Sequence, residues 1–149
     1  MLPRVEYSVA VPAPVDTAFQ AFQNLERLLH RGIYTEASWV EGAPWQVGSR
    51  LRFVVVHPVP ATIFAVVTAI SPPRAVSLIN HALGVTAEQN VWFDPEVNGG
   101  TRIRMAVDFV GKSSELSERD LLDAATFVTR DALDTVALLC RRRASYASG

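Results

Sequence analysis

Few side chains in this sequence could do chemistry. Three histidines, His30, His57 and His81, offer imidazoles that titrate near neutrality, and a single cysteine, Cys140, offers a thiol. No two histidines stand at the short spacing of metal ligands, so no metal centre is expected. Cys140 falls on a helical apolar stripe with Val136 and Leu139, whereas a reactive thiol needs an electropositive, partly exposed setting. It reads as structural. There is no Gly-x-Ser-x-Gly turn to present a nucleophilic serine. Gly99-Gly100 joins two strand-like runs and leads into no helix, so it is no phosphate loop. The run Arg141, Arg142, Arg143 fits a helix end, where cations complement the dipole, better than a nucleic-acid surface.

Composition narrows the choice of partner. The 149 residues suit one domain, and 49% hydrophobic content supplies a sizeable core. Fourteen Lys+Arg against 15 Asp+Glu leave no net field to draw the chain to nucleic acid or to an anionic membrane. With one cysteine there is no disulfide within the chain, and a reducing cytoplasm is the expected compartment. Met1 to Val11 interleaves charges with apolar residues where a signal peptide needs an unbroken apolar stretch. Ala61 to Ile70 is too short to cross a bilayer as a helix. The expectation is a soluble, unprocessed protein without integral membrane association, without a cofactor, and compatible with a homodimer.

The elements that must position any site follow from periodicity. Val5, Tyr7, Val9 and Val11 alternate with Arg4, Glu6, Ser8 and Ala10, a half-buried strand that Pro12 and Pro14 stop. Pro14 suits a first helical turn, and Val15, Ala18, Phe19 and Phe22 recur at helical spacing. Leu25, Leu28 and Leu29 continue as a second short helix ending near Gly32. Six strands follow, at Thr35–Glu41, Arg50–His57, Thr62–Ile70, Ala75–Ala82, Thr86–Asp94 and Thr101–Val110. Their short Gly, Pro and Asn breaks favour an antiparallel meander. One long helix closes the chain, with Ser117 as N-cap, Glu118, Asp120 and Asp123 in its opening turns and Arg141–Arg143 at its end. Its apolar stripe is Leu121, Leu122, Ala125, Val128, Ala132, Val136, Leu139 and Cys140.

Strand alternation then sorts the residues by face. Leu51, Phe53, Val55, Val76, Leu78, Val91, Phe93, Ile103, Met105, Val107 and Phe109 form an apolar inner face, and the same parity carries His57, Asn80 and Gln89 inward. A polar group in an apolar wall costs on the order of 1–3 kcal/mol without a partner. Asn80 and Gln89 are therefore satisfied by backbone or ordered water, or they orient a ligand's carbonyl or hydroxyl. His57 sits beside Pro58 at a strand end, either on a rim or in a pocket. Trp39 either walls a pocket or packs as core. Trp45 belongs to a loop expected near the mouth of the pocket, and Trp92 faces outward, covering surface or meeting a partner. Glu88 and Asp108 also face outward, so a paired-carboxylate site would need a strand bulge.

Several phrases carry a resemblance. Val9-Ala10-Val11-Pro12-Ala13-Pro14 precedes the first helix, Val47-Gly48-Ser49-Arg50-Leu51 enters a strand, and Ser71-Pro72-Pro73-Arg74 joins two strands. Phe93-Asp94-Pro95, Gly99-Gly100-Thr101-Arg102 and Phe109-Val110-Gly111 follow in order. With this element order, the chain resembles the SRPBCC (START-like) superfamily over nearly its whole length, a group that includes polyketide cyclase/dehydrase and pollen-allergen-like proteins. The resemblance implies an α+β helix-grip fold: a seven-stranded curved antiparallel sheet around a long C-terminal helix, with two short helices after the first strand. It also implies an elongated cavity for a lipid, a polyketide or another small hydrophobic molecule. The residues expected to bind such a ligand are Tyr7, Trp39, Phe53, Val55, His57, Leu78, Asn80, Gln89, Val91, Met105, Val107 and Val128. No catalytic residue is assigned. The expected function is ligand binding or transport. The alternatives are a cyclase or dehydrase in which His57, Asn80 or Tyr7 positions a carbonyl, and a protein-interaction module using Trp92 and the outer sheet face.

Overall fold

Every strand that the alternation defines forms. The computed structural model describes residues 2–24 and 33–148. Within them the order is β1 (Val5–Val11), α1 (Val15–Gln23), β2 (Tyr34–Glu41), β3 (Arg50–Val55), β4 (Ala61–Ser71), β5 (Ala75–Ala82), β6 (Val85–Pro95), β7 (Thr101–Val110) and α2 (Glu118–Ser148). The second short helix expected over residues 25–32 lies outside the described residues. The seven strands make one antiparallel sheet in the order β1-β7-β6-β5-β4-β3-β2. Strands β2 to β7 are a meander, and β1 closes it from the far side by pairing Val5 with Val107 through Val11 with Thr101.

Both helices start where their sequences provide for it. Pro14 stands one residue ahead of α1, and its carbonyl accepts the Ala18 N–H at 3.0 Å; having no N–H, proline leaves nothing unpaired there. Helix α1 buries Ala18, Phe19, Ala21 and Phe22. At α2 the Ser117 hydroxyl accepts the Asp120 N–H at 3.1 Å, and Glu118 and Asp120 occupy the first turn, where acids suit the dipole. The expected stop at Arg143 is corrected: α2 runs to Ser148 with no basic residue in its last turn. Residues 144–148 contain neither glycine nor proline, so nothing in them ends a helix.

The inner face is the one that parity assigns. Leu51, Val76, Val91, Phe93 and Ile103 are at most 1% exposed and pack against Leu133, Val136 and Cys140 of α2. Phe19 and Phe22 of α1 meet Phe93 edge-on at 5.1 and 5.7 Å between ring centroids. This end is a solid apolar core, and such burial, at roughly 25 cal/mol per Å² of apolar surface, is the main force holding sheet to helix.

The β5–β6 connection is a two-residue turn at Leu83-Gly84 with positive φ at both, +53° and +69°, the twist that a tight hairpin needs. For leucine this backbone is strained. It is held because the Ser113 hydroxyl donates to the Leu83 carbonyl and the Ser114 N–H donates to the Gly84 carbonyl at 3.3 Å. A Cβ on Gly84 would lie 1.9 Å from Ser114 Oγ, whereas one on Gly99, also at positive φ (+86°), would meet nothing within 4 Å. In chemical denaturation, Gly84→Ala should lose about 1–3 kcal/mol and more than Gly99→Ala. Equal losses would mean that the 113–114 segment yields without cost.

Candidate ligand cavity

Toward the start of α2 the packing opens. A cavity of about 160 Å³, partly open to solvent, lies between the sheet and this helix. Strands β2 to β7 wall it from Tyr34 and Ala37 round to Met105, Val107 and Phe109, while β1 contributes nothing. Leu121, Ala124, Ala125, Val128, Thr129 and Ala132 of α2 form the opposite wall. Pro58 and Val59 of the β3–β4 loop, together with Leu83, line it from two turns, and Phe22 and Trp45 line it from α1 and the β2–β3 loop. Seven of the lining residues are alanines, at positions 37, 61, 82, 87, 124, 125 and 132. Side chains this short cannot fill the gap between a curved sheet and a straight helix, and the space follows from them.

Five lining residues carry polar groups, Trp45 through its indole N–H. Asn80 Nδ2 donates to Gln89 Oε1 at 2.6 Å, and Gln89 Nε2 donates to Met105 Sδ at 3.3 Å, a weak acceptor. Asn80 Oδ1 is buried with no partner among the described residues. Thr129 is buried on α2. Tyr34 meets Phe53 at a 42° tilt with centroids 5.4 Å apart, and its hydroxyl makes no hydrogen bond among the described residues. Burial first, and the Asp131 carboxylate second, push that hydroxyl well above the usual tyrosine range, so it remains protonated.

Of the residues expected from sequence, Phe53, Val55, Leu78, Asn80, Gln89, Met105, Val107 and Val128 line the cavity. Four do not. His57 is corrected: β3 ends at Val55, paired with Ala61, and His57 is exposed in the following loop, its ring edge-on to Phe127 at 5.0 Å. The next residue, Pro58, has no N–H to extend the ladder, so strand parity no longer governs position 57. Val91 has the inward parity but sits in the solid core, fully buried. Trp39 stands behind Trp45, edge-on at 5.1 Å, and packs against the core. Tyr7, on β1, donates its hydroxyl to Asp134 at 2.8 Å under the Arg130 guanidinium, tying the edge strand to α2.

Sequence reasoning left out Tyr34, one residue ahead of the strand it assigned; Trp45, expected in a loop near the mouth of a pocket, lines the cavity. Trp45 holds φ +57°, and its indole N–H donates to the Gln23 carbonyl at 3.0 Å, clamping the β2–β3 loop to α1. The signal that could have found the cavity is the cluster of alanines on facing elements. On the outer face, Trp92 lies under the Arg104 guanidinium, 4.8 Å from the ring centroid, and Arg104 bonds Asp94 at 3.0 Å. Glu88 and Asp108 pair across β6 and β7 in regular register, so no bulge turns either inward. Among the described residues no group of three or more His, Cys, Asp or Glu could hold a metal, and no helix is long and apolar enough to cross a membrane.

No protein-family model matches the chain, and no curated protein matches it. Solved structures do. The aromatase/cyclase Zhui from Streptomyces sp. R1128 superposes with a TM-score of 0.80 at 17% identity, over 100% of this chain and 99% of that one. Ara h 8.0201 superposes at 0.77 and 13% identity, over 93% and 97%. DynU16, from the dynemicin biosynthetic locus, superposes at 0.67 and 19% identity, over 90% of this chain and 45% of that one. The chain has the helix-grip, START-like fold of these proteins.

Beside the cavity, Asp131 of α2 accepts the Ile33 N–H at 3.2 Å. Burial raises its carboxyl above the usual range, the Ile33 bond pulls it back, and Asp134 raises it further. A carboxyl that holds its proton more tightly in the folded state withdraws stability as pH rises from its ordinary value, about 4, through the raised one. Asp131→Asn keeps an acceptor for Ile33 and removes the charge. Its melting temperature should exceed the parent's at pH 7, with the gain vanishing near pH 3. A variant less stable at every pH would show that the charge-assisted bond to Ile33 outweighs burial.

Proposed function

We propose, from a helix-grip fold shared with an aromatase/cyclase and with Ara h 8.0201, that this protein binds a small, largely apolar molecule between its curved sheet and α2. The observation that carries the reading is the apolar cavity itself. An apolar space of this size does not hold water well, because water there finds too few hydrogen-bond partners, and it takes up an apolar guest instead. The polar groups on its wall are few and placed to orient a guest. Of the lining residues only Tyr34 is ionisable, and its hydroxyl is pushed upward. The wall therefore offers no general base that operates near neutrality, which favours binding over proton-transfer catalysis.

A second reading draws on the similarity to Zhui. The Tyr34 hydroxyl, kept protonated inside the cavity, can donate to a carbonyl oxygen and hold a folded polyketide-like chain for ring closure. Turnover of such a chain by the purified protein, lost in Tyr34→Phe, would move this reading ahead of simple binding.

The test is titration of the folded protein with toluene, naphthalene, octanoic acid and 1-anilinonaphthalene-8-sulfonate. At least one should bind saturably at one per chain, and failure of all four overturns the proposal. Ala124→Leu fills the cavity from the helix side. It should weaken the bound probe at least about tenfold, about 1.4 kcal/mol, while the melting temperature holds or rises. A fall in stability with affinity kept would place the binding site elsewhere.

A further inference from the structure

Resting on the binding reading, the geometry points to a narrower ligand: an uncharged, single-ring molecule with one hydroxyl, of the phenol type, whose O–H donates to Asn80 Oδ1. Size is the first ground. At about 160 Å³, the cavity is close to the roughly 150 Å³ apolar cavity that takes up benzene. One ring with a small substituent fits. A large fused polycycle or a long acyl chain would extend out through the open side.

Charge is the second ground. The lining contains no Lys, Arg or His, so a carboxylate or phosphate guest would be desolvated with nothing to compensate it.

The unmet hydrogen-bonding capacity is the third ground, and it fixes the functional group. Asn80 uses one amide hydrogen on Gln89 and leaves Oδ1 buried without a donor. The orientation of the amides is set by the neighbouring sulfur: Gln89 Nε2 faces Met105 Sδ. Turning both amides over would aim the Gln89 oxygen at sulfur lone pairs and lose that contact. The open valence is therefore an acceptor, and what it lacks is a donor. A hydrocarbon would leave it unmet, and a ketone or ether would present oxygen to oxygen. A hydroxyl completes it. In the structure Oδ1 is shielded from solvent, and a ligand reaches it by rotation about the terminal torsion of asparagine, which is broad. The Tyr34 hydroxyl, which makes no hydrogen bond among the described residues, lines the same cavity.

Calorimetric titration of the full chain with p-cresol, 4-methylanisole, toluene, 2-naphthol and palmitate tests this directly. p-Cresol should bind one per chain, at least about tenfold tighter than 4-methylanisole, which lacks the donor and carries one more methyl, and tighter than toluene, which is smaller and lacks the hydroxyl. Asn80→Leu should abolish that difference while still binding toluene. The comparison of probes on the unaltered protein stands even if the variant fails to fold. Equal binding of p-cresol and 4-methylanisole, or toluene binding without p-cresol, overturns the hydroxyl assignment and leaves an apolar binding protein. Tighter binding of 2-naphthol or palmitate than of p-cresol overturns the size assignment. If no probe of any size binds, the binding function itself falls.

Discussion

The contact between one helix and the concave face of one sheet governs this structure. A curved sheet buries its inner residues only if something fills the curve, and α2 is what does so. Where α2 presents Leu133, Val136, Leu139 and Cys140, and α1 adds Phe19 and Phe22, the contact is solid. Where α2 presents Ala124, Ala125, Thr129 and Ala132, a space is left between helix and sheet. The same interface thus provides stability at one end and space at the other. The division lies in side-chain volume along a single helix rather than in any break of secondary structure.

That division explains why the polar groups of the cavity survive. Asn80 and Gln89 face inward because strand parity gives them no other direction, and in the solid end of the core an unpartnered amide oxygen would be a plain loss of stability. Beside an open space it becomes a fixed, dry acceptor. Tyr34 is in the same position: its ring packs on Phe53 while its hydroxyl has no hydrogen-bond partner among the described residues. Met105 belongs to both regions, fully buried yet lining the cavity, and its sulfur orients the amide pair.

Much of this was legible in the sequence. Alternation of apolar residues placed the strands within a residue or two and chose the inner face correctly on β3, β5, β6 and β7. Periodicity reports which face a residue takes and is silent on depth along the strand. Val91 and Gln89 share a parity, yet one is core and the other cavity wall. His57 shows the other limit, since parity was extended two residues past the point where Pro58 ends the ladder. Tyr34 was missed because β2 begins one residue earlier than its alternation suggests, where the pairing with β3 is irregular. Depth is set by which elements carry short side chains opposite one another, a relation between distant segments that no local pattern contains.

The pairing of β1 with β7 sets the order of events as the chain is made. Its partners, Val5 and Val107 at one end and Val11 and Thr101 at the other, are separated by nearly the whole sheet. Contacts this far apart in sequence slow folding, because a long loop must close before they form. As the chain leaves the ribosome, β1 has no partner until β7 has followed it out, and the meander β2 to β7 can form in the interval. During that time Val5, Val9 and Val11 are an exposed apolar strand edge, the kind of segment that chaperones recognise. Helix α2 follows β7 in the chain, and the cavity takes its shape only when that helix docks on the sheet.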